Sequence, residues 1–199
     1  MSDSVKVDID VGFTATHCDL SERNIIYNFL NHFSNARDMT LSTYDLDEII
    51  CYLHQLSPLP KFGNLTRLRV SIFLNISMEI MPFVLGSCPK LKHLNLELVD
   101  EVISEVDTIP SKLPFCLVSS LECVEMTSDI TKEATERKVV RYFLDNATKL
   151  KKLVLGLNVY LGEKPHDFGL LKQEFDSPRR SGLCQLEVLP KLLKRHRHY

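Results

Sequence analysis

Apolar residues alternate with polar ones in seven short segments, and the pattern recurs along the whole chain. Alternation at a period of two places every second side chain on one face, which is typical of a strand with one buried face. Four of the segments extend to the form L-x-x-L-x-L, with Val or Met in place of some leucines. The apolar pairs are Val7 with Ile9, Met39 with Leu41, Leu68 with Val70, Leu94 with Leu96, Val124 with Met126, Leu153 with Leu155, and Leu186 with Val188.

The spacing of these segments predicts a repeat architecture. The second members of successive pairs lie 26 to 33 residues apart. A unit of about 30 residues that has one apolar face buries that face only by stacking on its neighbours. We therefore predict an α/β fold, a solenoid like those of leucine-rich repeats, with about seven parallel strands alternating with helices and irregular connections.

Helical patterns fill most of the gaps between the strands. Asp19 and Glu22 can close a capping box before an apolar stripe that ends at Phe33, and Ser42 precedes a second stripe over residues 46–53. The stretch from Val99 to Val118 has no sustained period and is predicted to be irregular. Further helices are predicted from Pro82, as the first helical position, to Gly86, over Thr131–Asn146 with Val140, Phe143, Leu144 and Ala147 on one face, and around Leu170, Leu171 and Phe175.

Composition excludes several classes of protein. Hydrophobic residues make up 44% and charged residues 25% of the 199, which is ordinary for a globular chain, and the net charge is -2. Such a charge gives no field that attracts nucleic acid, and no apolar run is long enough for a membrane span, so neither partner is expected. Six single cysteines without a CxxC motif, and no apparent leader, favour a cytoplasmic or nuclear location with reduced thiols.

Candidate chemistry is sparse. Phosphate-binding and nucleophile-elbow glycine motifs are missing, and the seven histidines lack the local spacing of a metal site. Asp8 and Asp10 share one face of the first strand, where solvated carboxylates explain them better than acid–base catalysis does. Cys123 and His93 occupy equivalent positions in adjacent strands, so an enzyme that uses the Cys123 thiol is one hypothesis for the function of the chain. We predict no catalytic residue, no metal and no cofactor.

The polar residues between the apolar pairs should form rows on the exposed face of the sheet. The central row is predicted as Asp8, Thr40, Arg69, Asn95, Glu125, Val154 and Glu187, and the row before it as Lys6, Asp38, Arg67, His93, Cys123, Lys152 and Gln185. Mixed charge of this kind suits a protein partner, although merely solvated strand residues would give the same pattern. The predicted partner-binding residues are Arg67, Arg69, His93, Asn95, Glu97, Glu125 and Lys152.

Several stretches of the chain resemble the plant F-box proteins that carry leucine-rich repeats followed by an FBD domain. One is FVLGSCPKLKHLNLEL, residues 83–98, which is similar to the short helix, Cys-Pro turn and strand of that family. The others follow the order of an FBD domain: LPFCLVSSLECVEM at 113–126, VVRYFLDNATKLKKLVL at 139–155 and LKQEFDSPRRSGLCQLEV at 171–188.

The resemblance implies a leucine-rich repeat region over residues 1–110, an FBD domain over 111–189 that continues the solenoid, and a basic tail over 190–199. In such proteins an N-terminal F-box binds a Skp-type adaptor and joins the repeats to a cullin-based ubiquitin ligase. Since the first predicted strand begins near Val5, the F-box is expected to be absent here. The leading hypothesis is a module that binds an unknown target protein. The alternative is a ligase adaptor that works through an unrecognised segment.

Overall fold

A computed structural model of the chain describes residues 6–9, 27–41, 59–73, 77–99, 113–128, 134–160, 173, 175 and 179–193. These residues contain one sheet of seven parallel strands, and each strand pairs with its neighbours in sequence order. Because spatial order follows sequence order without a skipped strand, the sheet has the topology of a solenoid. The strands are β1 (Lys6–Ile9), β2 (Asp38–Leu41), β3 (Arg67–Phe73), β4 (His93–Val99), β5 (Cys123–Ser128), β6 (Lys152–Tyr160) and β7 (Gln185–Leu193).

The predicted fold class and the register of the strands are confirmed. Each predicted apolar pair lies directly beside the pair of the next strand, so that Val7 is opposite Met39, which is opposite Leu68, and so on to Leu186. Because side chains alternate between faces, this alignment gives one continuous apolar layer on one side of the sheet. β7 extends to Leu193, into the segment predicted as the basic tail.

Helices cover the apolar side of the sheet. They are α1 (Ser77–Gly86), α2 (Phe115–Ser119) and α3 (Ala134–Asn146), together with a helical stretch over residues 27–32. α3 agrees with the strongest predicted helix, and its predicted apolar face is buried. Of the described helices, none has the length and apolar character needed to cross a bilayer. The predicted helix that starts at Ser42, the capping box at Asp19, and Leu170 with Leu171 lie outside the described residues.

Two predictions about local structure were wrong, and proline explains both. Pro82 is not the first residue of its helix, because α1 begins five residues earlier, at Ser77. A proline inside a helix costs about 3 kcal/mol, but the turn around it buries Met81, Val84 and Leu85 in the core, and this burial offsets the lost hydrogen bond.

The second error concerns the stretch predicted to be irregular, residues 99–118, which contains the last residue of β4 and four of the five residues of α2. Pro114 caps α2 with φ of -61° and ψ of 139°. The fixed ring of Pro114 therefore favours the start of this short helix.

The core lies between the sheet and the helices. The first leucine of each L-x-x-L-x-L segment, which precedes its strand, is fully or almost fully buried. These leucines fill the corner where the chain enters the sheet. They are Leu65, Leu91, Leu121 and Leu150.

A ladder of hydrogen bonds joins the repeats at the corner before each strand. The backbone carbonyls of Arg37, Thr66, Lys92 and Glu122 each accept two N–H groups from the next repeat, at 2.8–3.2 Å. Hydroxyl groups add to the ladder, since Thr66 Oγ1 donates to the Arg37 carbonyl at 3.0 Å and Ser181 Oγ to the Leu150 carbonyl at 2.6 Å. These bonds satisfy backbone groups at a buried turn and fix the alignment of the strands.

Candidate functional site

The outer face of the sheet, on the side away from the helices, carries the two predicted rows in the predicted register. In the central row Arg69 lies beside Asn95, which lies beside Glu125. In the row before it Arg67 lies beside His93, which lies beside Cys123. These side chains are exposed or half-buried because the alternation that buries the apolar pairs turns them outward.

A groove of about 330 Å³ crosses this face. It is lined by outward residues of the first five strands in two rows, and Leu68 and Leu94, which lie between the rows on β3 and β4, complete the lining. Its walls include five of the seven predicted binding residues: Arg67, Arg69, His93, Asn95 and Glu125. The structure adds Lys6, Asp38, Thr40 and Cys123 to the lining. All four belong to the predicted rows, so their row positions were the signal that could have identified them.

The other two predicted residues lie beside the groove and already have partners. Ser71 Oγ donates to Glu97 Oε2 at 2.9 Å, one row further along the strands. Lys152 Nζ lies 2.9 Å from Glu187 Oε2 on β7, and this carboxylate raises the pKa of Lys152. Both interactions hold charged groups in place at the rim, where exposed pairs contribute little to stability.

The amide of Asn95 fixes the carboxylate of Glu125, because Asn95 Nδ2 donates to Glu125 Oε2 at 3.2 Å. An amide is a neutral donor, so it orients the carboxylate but leaves its negative charge in place. Glu125 forms no direct ion pair among the residues that the structure describes, although its charge contributes to raising the pKa of Lys152 on β6. The groove therefore presents an oriented anion on β5.

Arg67 and Arg69 project from β3 into the same groove, and both are exposed. Within the described part of the chain, neither guanidinium has an ion-pair or hydrogen-bond partner. Asp38 is next to Arg67 in the strand register, yet no ion pair joins these two residues. Residues at alternate positions of a strand lie about 7 Å apart. β3 thus carries two cations side by side that form no direct ion pair, and the charge of Arg69 also contributes to lowering the pKa of Asp8 on β1.

Asp8 is held as an anion at the end of the groove. The Thr40 hydroxyl and the Lys6 ammonium, whose Nζ lies 3.3 Å from Asp8 Oδ2, lower the pKa of this carboxyl. A carboxylate with a lowered pKa is a poor general base at neutral pH. Asp10, which was predicted to share the solvated face of this strand with Asp8, lies outside the described residues.

The thiol-enzyme hypothesis needs an activated cysteine, and the surroundings of Cys123 have the opposite effect. Partial burial raises the pKa of Cys123, and the charge of Glu125 raises it further. His93 is adjacent in the register, but no hydrogen bond between the two side chains is present among the described residues. The reactive form of cysteine is the thiolate, which this environment disfavours.

Buried thiols elsewhere in the core are still less ionised. Burial raises the pKa of Cys116 to about 12, and the Cys116 thiol donates to the Leu85 carbonyl at 3.4 Å. Burial also raises the pKa of Cys88, in the Cys-Pro turn. Both cysteines pack as small apolar residues in the core.

We predict that alkylation will separate these cysteines. Iodoacetamide at pH 8, followed by peptide mass spectrometry, should modify Cys123 no faster than a free peptide thiol, and Cys88 and Cys116 at least about 100-fold more slowly. His93→Ala should leave the rate at Cys123 unchanged. A Cys123 rate well above that of the free thiol, lost in His93→Ala, would restore the thiol-enzyme hypothesis.

Metal ligands do not converge in the described residues, where no group of three or more His, Cys, Asp or Glu side chains could hold an ion. His32 lies in the helical stretch, and its Nδ1 forms a hydrogen bond with the backbone carbonyl of Asn28, four residues earlier. The remaining histidines weighed as ligands, namely His54, His166, His196 and His198, lie outside the described residues.

The sheet, its covering helices and its exposed rows define a solenoid of the leucine-rich-repeat type. Residues 109–155 match the family model described as FBD. The chain is 54% identical over 192 residues to an F-box/FBD/LRR-repeat protein of Arabidopsis thaliana, covering 95% of this chain and 40% of that relative. It is 48% identical over 192 residues to an FBD-associated F-box protein of the same plant, covering 95% of this chain and 43% of the relative.

The resemblance to plant F-box/FBD/LRR-repeat proteins is therefore confirmed over most of the chain, and residues 109–155 match an FBD domain. The chain spans about two fifths of the length of the curated relatives it matches. No solved structure matches it.

Proposed function

We propose that the chain is a protein-binding module that recognises its target with the outer face of the sheet. The observation that carries the proposal is the groove across β1 to β5, whose walls contain two unpaired arginines and an oriented carboxylate. Solenoids present extended surfaces of this kind, in which each strand contributes a side chain to a row. Charged groups that lack partners in the free protein are available to complementary charges on another protein.

Catalysis and polyanion binding have weaker support. Cys123 has a raised pKa, and Asp8 has a lowered one. Cations and anions alternate across the groove, whereas nucleic acid binding needs a continuous basic surface. The net charge of -2 points the same way. The proposal includes a cytoplasmic or nuclear location for the chain and therefore for the protein that it binds.

We predict that neutralising the groove will abolish target capture. The variant Arg67→Ser/Arg69→Ser/Glu125→Gln should capture at least about 10-fold less of the target protein from plant extract. Removing one member of a charge pair that is buried at an interface costs several kcal/mol of binding free energy. Quantitative mass spectrometry of tagged-chain pull-downs would measure the loss. All three residues are exposed, so the circular dichroism spectrum and the melting temperature should stay the same.

The matched control is Lys90→Ser/Lys149→Ser/Asp145→Asn, which makes the same charge changes at exposed positions of α3 and of the turns before β4 and β6. It should capture the target as well as the unmodified chain. Equal capture by the groove variant and the control would refute the outer face as the binding surface.

A second candidate function is that of a substrate adaptor in a cullin-based ubiquitin ligase. Both relatives described above are named as F-box proteins, and this supports the candidate function. Co-expression of the chain with a Skp-type adaptor and a cullin, followed by gel filtration, tests it directly. Co-elution would support an adaptor role, and separate elution would limit the chain to target recognition.

A further inference from the structure

The long axis of the groove crosses the strands. Its lining comes from five adjacent strands but from only two outward rows. Neighbouring strands lie about 4.8 Å apart, and alternate residues of one strand about 7 Å apart, so the groove is roughly 19 Å long and 7 Å wide. These dimensions fit one extended peptide segment that lies across the strands.

The charges in the groove are separated along this axis. The two unpaired arginines lie on β3, and Glu125 lies on β5 in the same row as Arg69. Two strand spacings separate Arg69 from Glu125, which is about 10 Å. His93 and Asn95 of β4 occupy the space between them, and Asn95 already donates to Glu125.

We propose that the groove binds a segment of a partner protein in the extended polyproline II conformation, in which an acidic and a basic side chain are separated by two intervening residues. The acidic side chain lies between the guanidinium groups of Arg67 and Arg69, and the basic side chain reaches Glu125. This inference rests on the proposed function and specifies the chemistry of the partner.

The spacing follows from the geometry of polyproline II, which advances about 3.1 Å per residue with three residues per turn. Residues i and i+3 therefore point to the same side about 9 Å apart, close to the distance between the two charge sites. A guanidinium group binds a carboxylate through two parallel hydrogen bonds. Two such groups without counter-ions repel each other, and one carboxylate between them relieves that repulsion. At the other site Asn95 holds the Glu125 carboxylate in place, so little ordering of the side chain is needed when a base binds.

Peptide selection tests the proposal. A phage library of random ten-residue peptides is selected on the immobilised full chain and, in parallel, on Arg67→Ser/Arg69→Ser, on Glu125→Lys and on the control Lys90→Ser/Lys149→Ser. We expect the full chain and the control to enrich the pattern acid-x-x-base, in either direction. The double arginine variant should lose this pattern. Glu125→Lys should instead select acid-x-x-acid, because its new cation prefers a carboxylate.

Binding of a selected peptide, labelled and followed by fluorescence anisotropy, should weaken at least about 10-fold in the double arginine variant and at raised salt. Enriched peptides that depend on the groove but lack an acid would overturn this inference and leave the proposed function standing. Failure to enrich any groove-dependent peptide would also overturn this inference. The proposed function is tested separately, by capture of the target from plant extract. Stronger binding of a single-stranded oligonucleotide or of anionic vesicles than of the peptides would count against it as well.

Discussion

Leu153→Asp is expected to unfold the protein, while Val154→Asp, one residue further along the same strand, should leave it folded. Leu153 has no exposed surface, whereas Val154 is half-buried in the outward central row. A carboxylate at position 153 would lie unpaired in the apolar layer, at a cost of at least about 4 kcal/mol. That is a large fraction of the roughly 5–15 kcal/mol by which a domain of this size is stable.

Circular dichroism and urea denaturation of the two variants test this expectation. Val154→Asp should lower the free energy of unfolding by no more than about 1 kcal/mol, as is usual for a position in contact with solvent. The pair is informative because residues 153–155 are all apolar, so hydrophobicity alone assigns them the same role. Equal destabilisation by the two substitutions would show that the outer face is covered at this strand.

Phe143→Ala should lower the free energy of unfolding by about 3–5 kcal/mol. Phe143 lies on the inner face of α3, is completely buried, and packs edge-to-face on Tyr142 at 5.6 Å between ring centroids. Its removal leaves a cavity between α3 and the sheet. Because repeats stabilise each other only through their shared interfaces, a loss at this helix should weaken the whole solenoid.

The matched control is Phe115→Ala on α2, since the Phe115 side chain is 66% exposed. This variant should change the free energy of unfolding by less than about 1 kcal/mol, because little area is removed from the core. Urea titration of the three proteins gives both values. A loss at Phe115 as large as that at Phe143 would mean that the exposed side of α2 is packed against another part of the chain.

Strand positions and register were predictable because a parallel solenoid is governed by a short local rule. Each residue of the central row lies between two apolar ones, so the rows could be written from the sequence and are found in that order. The helices were less predictable. Pro82 lies within α1 because the burial of Met81 and Leu85 outweighs the local preference of proline.

The candidate site was predictable as a surface but not as a groove. Row membership named Arg67, Arg69 and Glu125, while the ion pair of Lys152 with Glu187 and the hydrogen bond of Ser71 to Glu97 depend on side-chain conformations. Such contacts follow from the rotamers that neighbouring strands permit, and a sequence pattern does not contain that information.

The sequence by itself determined the seven strands, their alignment and the residues on each face, because alternation at a period of two and a repeat of about 30 residues leave one way to bury the apolar pairs. The tertiary structure alone decided which charges remain without partners. Lys152 lies against Glu187 and is neutralised, whereas Arg67 and Arg69 are exposed in the groove without a counter-ion among the described residues. The physical reason is that the interaction of two charges depends on the distance between them in space, which sequence spacing does not give.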